Sequence, residues 1–195
     1  MIKKFSQFSD EIKYSLDNVA EQDLNSLIRV LASIKKNKGR VFFIGVGGSA
    51  ANCSHAVNDF RKLCEIETYS VADNVSELTA RTNDEGWASV FSESLKINNI
   101  GNQDAIFVLS VGGGNLSRNI SANIVNAIKY AKTKKTKILG IVGRDGGYTY
   151  KNGNEVIIIK CKNNKLITPI TETFQSLLLH YLVSNPLLQS KKTKW

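Results

Sequence analysis

A chain of 195 residues with 42% hydrophobic and 22% charged residues has the length and composition of one globular domain with a real core. No apolar run reaches the roughly 18 residues needed to cross a bilayer, and residues 1–10 lack the apolar stretch of a signal peptide, which reads as a cytoplasmic chain with no membrane segment. The net charge of +9 gathers partly at Lys35–Lys38, Lys132–Lys137 and Lys191–Lys194; with no aromatics interleaved, these runs read as solvated helix ends and a frayed terminus, not a nucleic-acid platform, and the positive field suits phosphorylated substrates.

Residues 5–36 carry apolar side chains at helical spacing. Ile12, Leu16 and Val19 form one stripe, and Leu24, Leu27, Ile28, Leu31 and Ile34 another. This predicts two helices broken near Ala20–Asp23, the second ended by Gly39. Val41–Ile44 reads as a strand buried on both faces, followed by the tight turn Gly45-Val-Gly-Gly48 and a helix from about Ser49. Backbone N–H groups of that turn can face an anion at the positive end of the helix. Thr68–Val71 is a second strand, and Val75–Arg81 a short helix capped by Asp73 or Asn74. A polar loop over 82–86 leads to a helix Trp87–Leu95. The strand Ala105–Leu109 runs into Ser110-Val-Gly-Gly-Gly-Asn-Leu-Ser117 and then directly into a helix Arg118–Lys132. Lys137–Val142 is a strand followed by Gly143-Arg-Asp-Gly-Gly147, and Glu155–Ile159 is a further apolar run. Pro169 precedes a last helix, about Ile170–Ser184, closed by Asn185-Pro186.

Strands alternating with helices predict an α/β fold with a parallel sheet covered on both faces, and ligands at the carboxyl ends of the strands. Three glycine-rich loops fall there, two of them leading directly into helices. Cys53, Cys64 and Cys161 are scattered without C-x-x-C spacing and read as free thiols, not as a disulfide framework or zinc ribbon.

Chemistry-bearing residues concentrate in a few places. His55 and Asp59, four apart, share one face of the helix after the first loop. His180, the second of the two histidines, lies on the last helix eight residues after Glu172. Two histidines and two carboxylates suit either a zinc-type N/O site or an acid/base pair, if the two helices meet. The Ser110–Ser117 loop offers hydroxyls and N–H groups as a phosphate cradle without a P-loop lysine. Gly45-x-Gly47-x-x-Ala50 also fits the relaxed dinucleotide fingerprint, with Glu65 or Glu67 as the ribose acid.

Taken together, Gly45-Val-Gly-Gly-Ser49, His55 with Asp59, Asn83-Asp84, the Ser110 loop, Gly143–Gly147, and Glu172 with His180 resemble the sugar isomerase (SIS) domain proteins. The likeness is greatest to the phosphoheptose isomerases, and it runs over nearly the whole chain. The resemblance implies a flavodoxin-like αβα sandwich with a five-stranded parallel sheet. It implies one SIS domain over residues 1–195, made of a helical arm (1–38), an α/β core (39–186) and a basic tail (187–195). It implies a homotetramer with sites at subunit interfaces, and interconversion of sedoheptulose 7-phosphate and D-glycero-D-manno-heptose 7-phosphate on the way to surface-polysaccharide heptose. Asp59 and His180 inherit the acid/base roles. His55, Asp59, Glu172 and His180 take the positions of a zinc site. Substrate contacts fall on Val46, Gly47, Gly48, Ser49, Asn83, Asp84, Ser110, Val111, Gly112, Ser117 and Glu172. The chain departs from the family pattern at Val46 (usually Asn), Asp59 (Glu, about 1.5 Å longer in reach), Glu172 (Gln), Pro169 (Asp) and the Ser110 loop, which is longer and poorer in hydroxyls. These departures leave two further readings: an isomerase for another sugar phosphate, or a non-catalytic SIS protein binding a sugar phosphate, a protein or DNA.

Overall fold

The computed structural model describes residues 4–192. Two helices, α1 (Phe5–Asp17) and α2 (Glu21–Lys36), precede an alternating series: β1 (Val41–Ile44), α3 (Gly48–Cys64), β2 (Thr68–Ser70), α4 (Val75–Asp84), α5 (Val90–Ile97), β3 (Ala105–Ser110), α6 (Ala122–Thr133), β4 (Lys137–Val142), α7 (Gly147–Asn152) and β5 (Glu155–Ile158). A 3₁₀ turn, Asn164–Leu166, leads into α8 (Ile167–Val183). The five strands form one sheet in the order β2-β1-β3-β4-β5, every neighbouring pair parallel. This is the flavodoxin-like order, with its switch point between β1 and β3.

The strand sequences explain the layering. Phe42 and Phe43 point to opposite faces of β1, as successive strand residues must. Phe43 packs with Phe60, Phe107, Ile141, Phe174 and Leu178 beneath α2, α3 and α8. Phe42 packs with Ile44, Phe91, Ile106, Val108 and Ile128 beneath α5 and α6. Each of these fully buried side chains contributes on the order of 1.5–3 kcal/mol over its exposed state.

Several element boundaries differ from the sequence-based expectation. Asn74, not Asp73, caps α4, its side chain accepting from the Glu77 N–H at 3.2 Å. The polar stretch 82–84 continues α4 instead of forming a loop. Arg81 reaches Glu77 (2.9 Å) and Glu85 (3.3 Å), and these i,i+4 pairs extend the helix. The next helix begins at Val90, not Trp87. The largest difference is at α6, which begins at Ala122, so the second glycine loop does not run directly into a helix. The Asn115 side chain accepts from the Ser117 hydroxyl and the Arg118 N–H, both at 2.9 Å, and Asn115 bridges Ile120 in antiparallel fashion. A side chain that captures nearby backbone in this way competes with helix formation. Helix α7 was not anticipated, because six residues carry too little periodicity to read. Pro169 lies inside the first turn of α8, where its missing N–H has no intrahelical partner to lose.

The described part of the tail is docked, not frayed. Leu188 is buried, the Ser190 N–H donates to the Leu63 carbonyl at 2.7 Å, and Lys191 pairs with Glu65 at 2.9 Å. Residues 193–195 of that tail, and residues 1–3, lie outside the described residues.

At the amino end of the sheet Asp104 is buried and ties β1 to β3. It accepts from the Arg40 N–H (2.9 Å), the Arg40 guanidinium (2.8 and 3.2 Å) and the Gly101 N–H (2.9 Å). Burial pushes its carboxyl up, but these donors outweigh burial and hold it below the usual carboxylate range. A depressed folded-state value gives stability that is complete above the unfolded-state value near 4 and is lost as pH falls through the folded one. Asp104→Asn should therefore cost about 2–3 kcal/mol at pH 7 in chemical denaturation. It should also flatten the loss of stability below about pH 4. An unchanged acid limb would mean that Asp104 titrates alike folded and unfolded.

Candidate active site

Helices α3 and α8 lie side by side and run in the same direction, because their residues meet in ascending order. The Asn52 amide donates to the Glu172 carbonyl at 2.9 Å and to Gln175 Oε1 at 3.2 Å, and the Gln175 amide donates to the Ile141 carbonyl at 3.3 Å. This buried chain fixes both helices to β4. Asp59 rises from α3 beside His55, and His180 meets them from α8. His55 Nε2 is 3.3 Å from Asp59 Oδ2, His180 Nδ1 is 3.4 Å from the same oxygen, and the two Nε2 atoms are 3.3 Å apart. The Asn58 amide holds the other carboxylate oxygen at 2.9 Å. The two helices that the sequence left separate do meet at these three residues.

Glu172 does not join them. Eight residues of α8 separate it from His180, about 12 Å of axial rise, and its carboxylate sits against Gly48. A Cβ on Gly48 would lie 2.6 Å from Glu172 Oε2, so a side chain at 48 would displace the carboxylate from this position. The donor set brought together is thus two imidazoles and one carboxylate, with one ligand atom from each within 4.8 Å of the others. Nitrogen and oxygen ligands at this spacing fit a zinc-type divalent cation.

The glycine loops gather at the carboxyl ends of β1, β3 and β4. Gly47 has φ +64° with open space around it, and Val46 beside it is 42% exposed. Ser49 is buried under the start of α3. The Ser110 hydroxyl accepts from the Gly113 N–H at 3.0 Å, so it shapes its own loop. Asn83 and Asp84 end α4, exposed and bonded to each other at 2.8 Å.

The second and third loops interlock. Gly113 accepts from the Thr149 N–H (2.9 Å) and hydroxyl (2.8 Å), and Gly114 from the Tyr148 N–H (2.7 Å). Between them and the start of α8 lies a cavity of about 760 Å³, lined by Val111, Gly112, Arg118, Arg144, Ile167 and Thr168 among others. A shallower groove of about 810 Å³ runs along α8 past Gly48, Asn52, Glu172 and His180. Sequence reasoning did not single out Arg118 or Arg144 as site residues. Their only signal was position, one following Ser117 and the other inside Gly143–Gly147.

The dinucleotide reading fails on geometry. Glu65 and Glu67 stand before the first residue of β2, at the opposite end of the sheet from the glycine loops, so neither can reach a ribose there. The residue near the carboxyl end of β2 is Asp73, which accepts from Ser70 at 2.8 Å and also from Ser54.

A flavodoxin-like sheet with glycine loops at its switch point, and a His–Asp–His cluster alongside, defines an α/β protein with its candidate site at the carboxyl ends of the strands. The chain belongs to the SIS domain family, whose signature matches residues 7–143. It is 26% identical over 185 residues to a phosphoheptose isomerase of Helicobacter pylori strain P12, covering 92% of this chain and 90% of that protein. It is 26% identical over 194 residues to a phosphoheptose isomerase of Aliarcobacter butzleri, covering 97% of this chain and 94% of that one. A solved phosphoheptose isomerase of Neisseria gonorrhoeae superposes with a TM-score of 0.78 at 22% identity, over 91% of this chain and 93% of that structure. Among the described residues, no helix is long and apolar enough to cross a membrane.

Proposed function

We propose that this protein is a phosphoheptose isomerase, an aldose–ketose isomerase that interconverts sedoheptulose 7-phosphate and D-glycero-D-manno-heptose 7-phosphate for surface-polysaccharide heptose. The observation that carries the reading is the convergence of Asp59 and His180 from two helices, with His55 beside them, in a chain related over nearly its full length to phosphoheptose isomerases.

The chemistry follows from the residues. Asp59 accepts the C1 proton of the ketose, and the C1–H bonding pair becomes the C1=C2 bond of an enediol. The carbonyl π pair moves to O2, which takes a proton from His180. His180 then recovers the O1 proton, and Asp59 returns its proton to C2, leaving an aldehyde at C1. His55, Asp59 and His180 would hold a divalent cation such as zinc, which when bound polarises the substrate carbonyl as a Lewis acid. Glu172 over Gly48 and the exposed pair Asn83–Asp84 would contact sugar hydroxyls. The glycine turn Val46–Gly48 with Ser49 would line the sugar end, and Ser110, Val111, Gly112 and Ser117 the phosphate end.

We take residues 1–195 as one SIS domain of a cytoplasmic homotetramer with shared sites. One length supports the sharing. Thr168, at the phosphate-end cavity, is twelve residues from His180, about 18 Å along α8, further than a seven-carbon sugar phosphate spans.

One observation favours a second reading, an isomerase for a different sugar phosphate. Val111, Ile120 and Ile167 make part of the cavity wall apolar.

The test is turnover. Purified protein with sedoheptulose 7-phosphate should form the aldose, with about one zinc per chain by elemental analysis, and chelation should remove the metal and lower the rate. Turnover confined to a hexose or pentose phosphate would favour the second reading. No turnover of any sugar phosphate by metal-replete protein would refute isomerase activity.

A further inference from the structure

We infer that Arg118 and Arg144 form a two-guanidinium clamp for the terminal phosphate of the substrate, and that this charge dominates affinity in the cavity between the second and third glycine loops. The inference rests on the isomerase reading for the identity of the phosphate carrier, and on the cavity itself for the anion.

The arginines sort cleanly. Arg40 pairs with Asp104, Arg81 with Glu77 and Glu85, Arg29 donates to Ser26, and Arg61 lies over the Tyr69 ring. Among the described residues, the Arg118 and Arg144 side chains have no hydrogen bond, ion pair or ring contact, and both residues line the same cavity. The one acidic side chain lining it, Asp145, faces the Gly147 N–H at 3.3 Å. The cavity therefore carries a net positive charge with its cationic groups uncommitted.

The hydroxyls near the cavity can add donors but no charge. The Ser110 hydroxyl accepts from the Gly113 N–H and keeps its own O–H, while the Ser117 hydroxyl donates to Asn115. Val111 and Gly112 offer no side-chain donor. The Asn115 side chain, accepting from the Arg118 N–H, fixes the backbone of Arg118 beside the cavity, and Arg144 Cδ lies 3.9 Å from the Cβ position of Gly112.

Arg144 also sits at φ +51°, a left-handed conformation that glycine would adopt without strain. A side chain kept at a strained position with no partner is a candidate for function. Two guanidinium forks can take the oxygens of a dianionic phosphate in bidentate fashion, which an ammonium cannot reproduce.

The experiment measures inorganic phosphate binding by titration calorimetry, and in parallel sedoheptulose 7-phosphate turnover with phosphate as inhibitor. Arg118→Ala, Arg144→Ala, Arg144→Lys and Arg144→Gly are compared with the unaltered protein. Each alanine variant should weaken phosphate binding about 10- to 100-fold and raise KM similarly with kcat little changed. Arg144→Lys should recover only part of the loss. Arg144→Gly should raise Tm by a few degrees while still losing phosphate, which separates relief of strain from loss of the ligand group.

Phosphate should compete with substrate in the unaltered protein. Binding that is non-competitive would overturn the proposal by assigning the cavity to another anion. Phosphate affinity and KM within twofold of the unaltered protein in every variant would overturn it while leaving the isomerase standing. Arginine-dependent phosphate binding without turnover would keep the clamp and remove the isomerase.

Discussion

Asp59→Asn is expected to lower kcat for sedoheptulose 7-phosphate by about 10²- to 10⁴-fold, the range a positioned general base supplies. The substitution keeps shape and hydrogen-bonding capacity but removes the charge on which both imidazoles converge. Asp59 is largely covered, and the Asn58 amide fixes its second oxygen. Its loss is therefore not made good by water or by rotation of the side chain. Circular dichroism and the unfolding midpoint should change little, because α3 is held to α8 and β4 through Asn52 and Gln175, not through Asp59. Bound zinc should fall with the charge. Asp59→Glu should retain part of the activity, since it keeps the carboxylate and the two histidines beside it are exposed enough to adjust. A kcat within threefold of the unaltered protein in Asp59→Asn would assign the base elsewhere.

The second large effect is structural. Gly113→Ala should destabilise the protein by about 2–4 kcal/mol and abolish phosphate binding together with turnover. Two costs add. Gly113 has φ +64°, a left-handed conformation costing roughly 1–2 kcal/mol for a residue with a Cβ. The added Cβ would also lie 2.0 Å from the Gly146 carbonyl oxygen, a rigid backbone atom, so the second and third loops must part. Parting them breaks the three bonds from Tyr148 and Thr149 to Gly114 and Gly113. Gly147 is locked from the other side, its Cβ position 2.2 Å from the Gly112 oxygen. Denaturant midpoints and phosphate calorimetry check this. Gly86→Ala serves as comparison, because Gly86 also has positive φ (+84°) but open space around it, and should cost only the conformational part. Equal losses at the two positions would mean that the loops are not interlocked.

The sheet and its helices were legible because the strands are short apolar runs separated by helical stripes. Val41–Ile44 and Ala105–Ser110 are buried throughout, and only a parallel sheet covered on both faces does that with so few polar residues. Residues at i,i+4 on one helix were equally legible, hence His55 with Asp59. The approach of His180 was not, because it depends on the packing of α3 against α8, which sequence spacing does not encode. The same packing explains the misplaced fourth ligand. Glu172 and His180 share a face of α8, but axial rise carries Glu172 to Gly48 and away from the cluster. Arg118 was hidden by the expectation that α6 begins there. The Asn115 side chain delays that helix to Ala122 and leaves Arg118 on a loop beside the cavity. Arg144 was visible inside a glycine-rich motif, but its lack of any partner is a property of the folded chain.

The most direct measurement is solvent deuterium incorporation into sedoheptulose 7-phosphate, followed by nuclear magnetic resonance in D₂O with the metal-replete protein. An enediol formed by Asp59 exchanges the abstracted proton with solvent, so deuterium should enter the ketose at C1 and the aldose at C2. Both signals should vanish in Asp59→Asn. Aldose formed with no deuterium at either carbon, or exchange that persists undiminished in Asp59→Asn, would contradict proton transfer at this cluster.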